Sequence, residues 1–149
     1  MLKEKLNQDI KTALLAGEKA KAEVLKALKS AILYEEVALK VRAEGLNDAQ
    51  VQTVLARESK KRADSAAIYQ QAGEAARAEV ELVEKAIIDT YLPAQLTDEE
   101  LQKVVAEVIA AAGANLQMGP IIGAVKAKVG TQADGARIAA TVKAALVQS

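Results

Sequence analysis

The sequence predicts an all-α protein, with an N-terminal antiparallel helical bundle over residues 1–94 and a C-terminal three-helix domain over residues 95–149. Three observations lead there. Ala, Lys, Glu, Leu and Val dominate, all but Val strong helix formers, and only 8 Gly and 2 Pro punctuate the 149 residues. Apolar residues return at helical spacing between the glycines. The stretch Tyr91-Leu92-Pro93-Ala94-Gln95-Leu96-Thr97-Asp98-Glu99-Glu100 then marks the stop of one helix and the start of another. Pro93 cannot donate a helix hydrogen bond and turns Leu92 out of the α region. Thr97 and Glu100 have capping-box spacing, with Leu96 and Leu101 placed as its hydrophobic staple.

Along the chain, Leu2, Leu6, Ile10, Ala13 and Leu14 form the first stripe, closed by Gly17. A long helix from Lys19 to Ala43 carries Leu25, Leu28, Ile32 and Leu39, widened by Val24, Ala27, Ala31 and Val37 and interrupted by Glu36. Gly45 ends it, and Asn47 or Asp48 opens a third helix that runs to Ala72. Its centre is Val51, Val54 and Leu55, and Tyr69 returns to that line, but so do the polar Glu58, Arg62 and Ser65. The fourth helix, Glu74 to Leu92, should turn Ala76, Val80, Val83, Ile87 and Tyr91 inward. Beyond the joint, Leu101, Val104, Val105, Val108, Ile109 and Ala112 keep strict helical spacing up to Gly113. Pro120 fits the first turn of the next helix, whose stripe is Met118, Ile121, Ile122, Val125 and Val129, stopped by Gly130. Asp134 caps the last helix, with Ile138, Val142, Ala145 and Leu146.

Phe, Trp, His and Cys are absent, which removes disulfides, thiolate chemistry and any histidine base or ligand. No run approaches the ~20 apolar residues of a membrane span, so a cytoplasmic protein with no membrane association is expected. The serines Ser30, Ser59, Ser65 and Ser149 lie in no nucleophile-activating loop, and neither phosphate-cradling glycine motif occurs. No catalytic residue, metal ligand or cofactor is expected.

Net charge is zero, yet from Val108 onward Lys126, Lys128, Arg137 and Lys143 stand against Asp134 alone. Arg137 lies in the first turn of a helix, whose free N–H groups favour an anion, although Asp134 competes for that place. These four are candidates for backbone phosphates, with Arg57, Lys60 and Lys61 as a second patch or simply a solvated face. Glu58, Arg62 and Ser65 are either a self-satisfied ion pair between helices or a polar groove for a partner.

Arg57-Glu58-Ser59-Lys60-Lys61-Arg62-Ala63-Asp64-Ser65, then Tyr69-Gln70-Gln71-Ala72-Gly73 and Tyr91-Leu92-Pro93-Ala94-Gln95-Leu96, resemble the signature of the GatB/YqeY domain family. Met118-Gly119 and Ala133-Asp134-Gly135 continue it in order. The resemblance covers essentially the whole chain and is to the stand-alone YqeY-like members. It implies a helical bundle joined to a three-helix tail like the one that closes the B subunit of the glutamine-dependent tRNA amidotransferase. In that enzyme the tail helps bind tRNA, while glutamine hydrolysis and ATP-dependent activation sit elsewhere. Tyr34, Gln132 and Ala136 depart from the family's pattern, thinning the basic edge. The resulting expectation is a non-catalytic module with tRNA or amidotransferase subunits as partners, set within carbon–nitrogen ligase chemistry that uses glutamine as amido donor. The rival is a protein-interaction adaptor using the Glu58/Arg62/Ser65 groove. Amide transfer by the chain alone would have to be serine-dependent.

Overall fold

The structure, a computed structural model, describes residues 1–148. Among the described residues there are seven α-helices, one short 3-10 turn and no strand, so the protein is all-helical as expected. None of those helices is long and apolar enough to cross a membrane. The chain divides into two compact units, Met1–Leu92 and Pro93–Ser149.

The first unit holds α1 (Leu2–Leu15), α2 (Lys19–Ala38), α3 (Asp48–Gln71) and α4 (Ala75–Asp89). They close over Leu6, Ile10, Leu25, Leu28, Ile32, Val51, Val54, Leu55, Ile88 and Tyr91. Burying one such leucine contributes about 1.5–3 kcal/mol. The α1 N-terminus lies beside that of α3, where the Leu2 N–H donates to Asp48 Oδ1 at 3.1 Å. Tyr91, just past α4, is tied back to α1. Its hydroxyl donates to Asp9, which also accepts from Lys5 Nζ at 2.8 Å, and that ammonium sits 4.7 Å from the Tyr91 ring centroid. Burial first, then the hydrogen bond to Asp9, raises the tyrosine's pKa far above its ordinary value. The phenol therefore stays a donor at any physiological pH.

Two expectations are corrected here. The second helix ends at Ala38 rather than at Ala43, and Ala27, Val37 and Leu39 of its expected stripe are exposed. Its end is a Schellman closure: the Val41 N–H donates to the Glu36 carbonyl at 2.9 Å and the Lys40 N–H to that of Val37 at 3.1 Å. The closure needs a left-handed residue at position 40, and Lys40 adopts φ 59°. The helices α1 and α3 end in the same bonding pattern with glycine, Gly17 and Gly73, in that place. The sequence signal was lost because a lysine fills the glycine position. The fourth helix ends at Asp89 rather than Leu92, and only Ile87 and Tyr91 of its expected stripe face the core; Val80 and Val83 are bare.

The interruption at Glu36 has a physical explanation. Its side chain is 5% exposed, accepts from Lys3 Nζ, and accepts from the Leu46 N–H at 2.9 Å. A buried carboxylate thus joins α1, the end of α2 and the loop entering α3. Gly45 is required beside it: with φ 78°, a Cβ there would stand 2.9 Å from Lys3 Nζ and 3.1 Å from Glu36 Oε2. Asn47 then caps α3, accepting from the Gln50 N–H at 2.8 Å while the Gln50 side chain returns to the Asn47 N–H at 3.0 Å.

The second unit holds α5 (Asp98–Ala112), α6 (Met118–Val129), a 3-10 turn (Gly130–Gln132) and α7 (Gly135–Gln148). Its core is Leu101, Val105, Val108, Ile121, Val125, Val129, Ala133, Ile138 and Val142, close to the expected stripes. The capping box at Thr97 forms with both bonds at 3.1 Å, and Leu96 packs on the cluster that holds Leu101. Asp134 caps α7 by accepting from the Arg137 N–H at 2.8 Å.

Two predictions follow from the α2 terminus. In Lys40→Gly, relief of the left-handed strain, about 1–2 kcal/mol, outweighs the entropy penalty of a glycine, about 0.5–1 kcal/mol. Urea unfolding should therefore show a stabilised protein, and a lower midpoint would refute the assignment. The hydrogen bond from Lys3, then that from the Leu46 N–H, hold the Glu36 carboxyl below its ordinary 4.5. A lowered folded-state pKa means that the unfolded chain takes up the proton first, so this stabilisation is full above about pH 4.5 and drains away below it. Melting curves from pH 6 to 3 should show a smaller acid loss for Glu36→Gln than for the wild type.

Candidate functional site

The α3 and α4 helices form a hairpin joined by polar rungs. Arg62 Nε donates to Glu84 Oε2 at 2.9 Å, and its guanidinium lies 3.5 Å from Glu58 and 3.9 Å from Glu81. Ser59 is buried and donates to Asp89, which Lys85 also reaches from one turn away on α4. Alanines close the gap further along, with Ala66 and Ala78 both fully covered. The polar residues on the core line of α3 thus face α4. Glu58 and Arg62 are brought together as expected, and Ser65 lies half-buried one turn on. Sequence reading missed Glu81, Glu84 and Asp89. Their position on the inner face of α4 is the signal that could have found them, but it was overridden by the valine stripe beside it.

The second expected cation patch is internally paired. Arg57 lies 3.4 Å from Glu35, Lys60 3.2 Å from Asp64, and Lys61 3.0 Å from Glu58. Pairs this exposed are worth about 0–1 kcal/mol each, yet they offset local positive potential.

In the second unit Arg137 is committed to its own fold. Nη2 donates to the Leu96 carbonyl at 2.8 Å and to Asp98 Oδ1 at 3.0 Å, tying α7 to the entry of α5. Gln95 and Gln132 add a reciprocal latch: Gln95 Nε2 donates to the Thr131 carbonyl at 2.9 Å, Gln132 Nε2 to that of Ala94 at 3.3 Å, and the Leu96 N–H to that of Gln132 at 2.8 Å. Lys126, Lys128 and Lys143 are exposed, and none has an acidic partner among the described residues. Lys126 and Lys128 occupy the last turn of α6, where a cation also complements the helix dipole. Two residues apart, they leave α6 on different flanks. Lys128 borders a shallow groove of about 280 Å³ between α5 and α6, lined by Val108, Ala112, Pro120, Ile121 and Ala124.

Among the described residues these features define an all-helical protein of two small units, one with a carboxylate-rich hairpin and one with three lysines that have no acidic partner. The family model described as "Yqey-like protein" matches residues 3–146, and the chain belongs to that family. No curated protein matches it. The residues that carry the family resemblance are largely architectural: Ser59 and Arg62 are rungs of the hairpin, Tyr91 anchors to α1, and Gln95 and Leu96 latch onto the 3-10 turn.

Arg62→Ala would leave Glu58, Glu81 and Glu84 converging without their shared cation. Urea unfolding should show a loss of about 1–3 kcal/mol, partly recovered in Arg62→Ala/Glu84→Gln. An unchanged midpoint for the single variant would mean that the rungs carry no stability.

Proposed function

We propose that this YqeY-like protein is a non-catalytic, cytoplasmic tRNA-binding module acting in the setting of glutamine-dependent tRNA amidotransfer. In this reading the first unit is an antiparallel bundle, and the second is the counterpart of the amidotransferase B subunit's tail. The observation that supports it is the contrast in cation pairing. Arg57, Lys60 and Lys61 each have a carboxylate close by, whereas Lys126, Lys128 and Lys143 have none among the described residues. Unpaired lysines can release counterions from a phosphate backbone without first breaking an ion pair. They position a nucleic acid without reading its sequence, which suits a module that tolerates several tRNA species. Arg137 supports this surface indirectly, by holding α7 in place.

Filter binding of the purified protein to bulk tRNA, with duplex DNA as control, tests the reading. Retention should be saturable, tRNA-preferring and weaker at near-physiological salt. Lys126→Ala/Lys128→Ala/Lys143→Ala should weaken it uniformly across tRNA species and lower the salt slope by about 2–3, at about 0.7–0.9 per phosphate contact. No retention at low salt, or an unchanged slope in the triple variant, would overturn the proposal.

A further inference from the structure

The hairpin of α3 and α4 outruns α1, against which α3 begins. Beginning side by side at Leu2 and Asp48, α1 with 14 residues rises about 21 Å, and α3 with 24 residues about 36 Å. The core accordingly draws on α3 only as far as Leu55 and on α4 only from Ile87 onward. Above that level the two helices are joined by the Arg62 rung, with Ala66 of α3 and Ala78 of α4 both buried.

On α4, Ala76, Val80, Val83 and Ile87 fall at i, i+4, i+7 and i+11, one face of a helix. Ile87 packs against the core, whereas Val80 and Val83 are 57% and 52% exposed. Isolated exposed valines need no explanation. Here the bare pair prolongs a stripe whose lower end is already covered, so the stripe has room for one more helix. Charge specifies the occupant. Glu79 borders the stripe on one side, Glu84 and Glu81 on the other. With Glu58, Asp64 and Glu74, this end of the hairpin carries six carboxylates against the four cations Lys60, Lys61, Arg62 and Arg77, a net negative surface. That sign repels a phosphate backbone or an anionic lipid surface and attracts cations.

We propose that the Val80/Val83 face of the hairpin docks a basic amphipathic helix of a partner protein. Apolar side chains of the incoming helix would cover the valines, and its flanking Lys or Arg would meet Glu79 and Glu84. The surface shares no residue with the lysines of the second unit and does not depend on the tRNA reading.

The test uses the full chain and a fluorescent helix-forming peptide of about 18 residues, with leucines on one face and lysines flanking them. A matched peptide carries glutamates in place of the lysines. The basic peptide should bind saturably and at least about tenfold more tightly than the acidic one. Val80→Ser/Val83→Ser and the helix-favouring Val80→Ala/Val83→Ala should each weaken it about tenfold while melting like the wild type. Lys126→Ala/Lys128→Ala/Lys143→Ala should bind the peptide as the wild type does, which separates this site from the tRNA surface. Equal binding of both peptides, or valine variants indistinguishable from wild type, would overturn the proposal. Self-association abolished by the valine variants, with no peptide bound, would overturn it in favour of a second copy.

Discussion

Arg62 is the constraint on which the first unit turns. Alanine-sized contacts along the α3 and α4 hairpin bring the helix axes close but offer little shape to set one helix lengthwise against the other. A guanidinium shared by Glu58, Glu81 and Glu84, with a second rung from Ser59 to Asp89, specifies that register. A slip by one residue would carry Glu81 and Glu84 away from Arg62, leaving two half-buried carboxylates without that cation, at a cost of about 1–3 kcal/mol. Correct register brings Ile88 and Tyr91 onto Leu55 and its neighbours, and Tyr91 onto Asp9 of α1. The apolar core is thus completed by a polar device lying outside it.

The same logic recurs at smaller scale. Glu36 is buried because it satisfies Lys3 and the Leu46 N–H together, which is possible only because Gly45 leaves the space. In the second unit, Arg137 and the Gln95–Gln132 latch close the α5 entry over the 3-10 turn, so the short core of α5, α6 and α7 has a lid made of hydrogen bonds. Three helices bury too little apolar surface to be generous, and such closures matter more in a unit of this size.

Much of this was legible in the sequence, and the failures have specific causes. Caps written in local chemistry were read correctly: the Thr97 box, the Leu96 and Leu101 staple, Asp134, and Gly17 and Gly73 as stops. Lys40 was not, because a left-handed lysine looks like any other surface residue until the Val41 N–H is seen to close on Glu36. The inner face of α4 was misjudged for a related reason. Periodicity marks an apolar stripe but not the neighbour that covers it, and at this end of α4 the neighbour, α3, contacts the polar face. Glu58 and Arg62 were visible as an anomaly, but their partners Glu81 and Glu84 lie 19 or more positions away, beyond any local pattern.

Zero net charge therefore conceals two different electrostatic designs. In the first unit the long α3 spends its cations on carboxylates one turn away or across a helix contact, and what remains at the hairpin's far end is negative. In the second, Arg137 is spent in the same manner, but Lys126, Lys128 and Lys143 are exposed and have no acidic partner among the described residues. Fields from exposed charges fade over about 8–10 Å at ordinary salt, so each surface acts on what touches it and not on the molecule's sum. A binding surface is set by which charges the fold has already consumed. On that basis one of the four candidate cations of the second unit, Arg137, serves the fold, while Lys126, Lys128 and Lys143 have no acidic partner among the described residues.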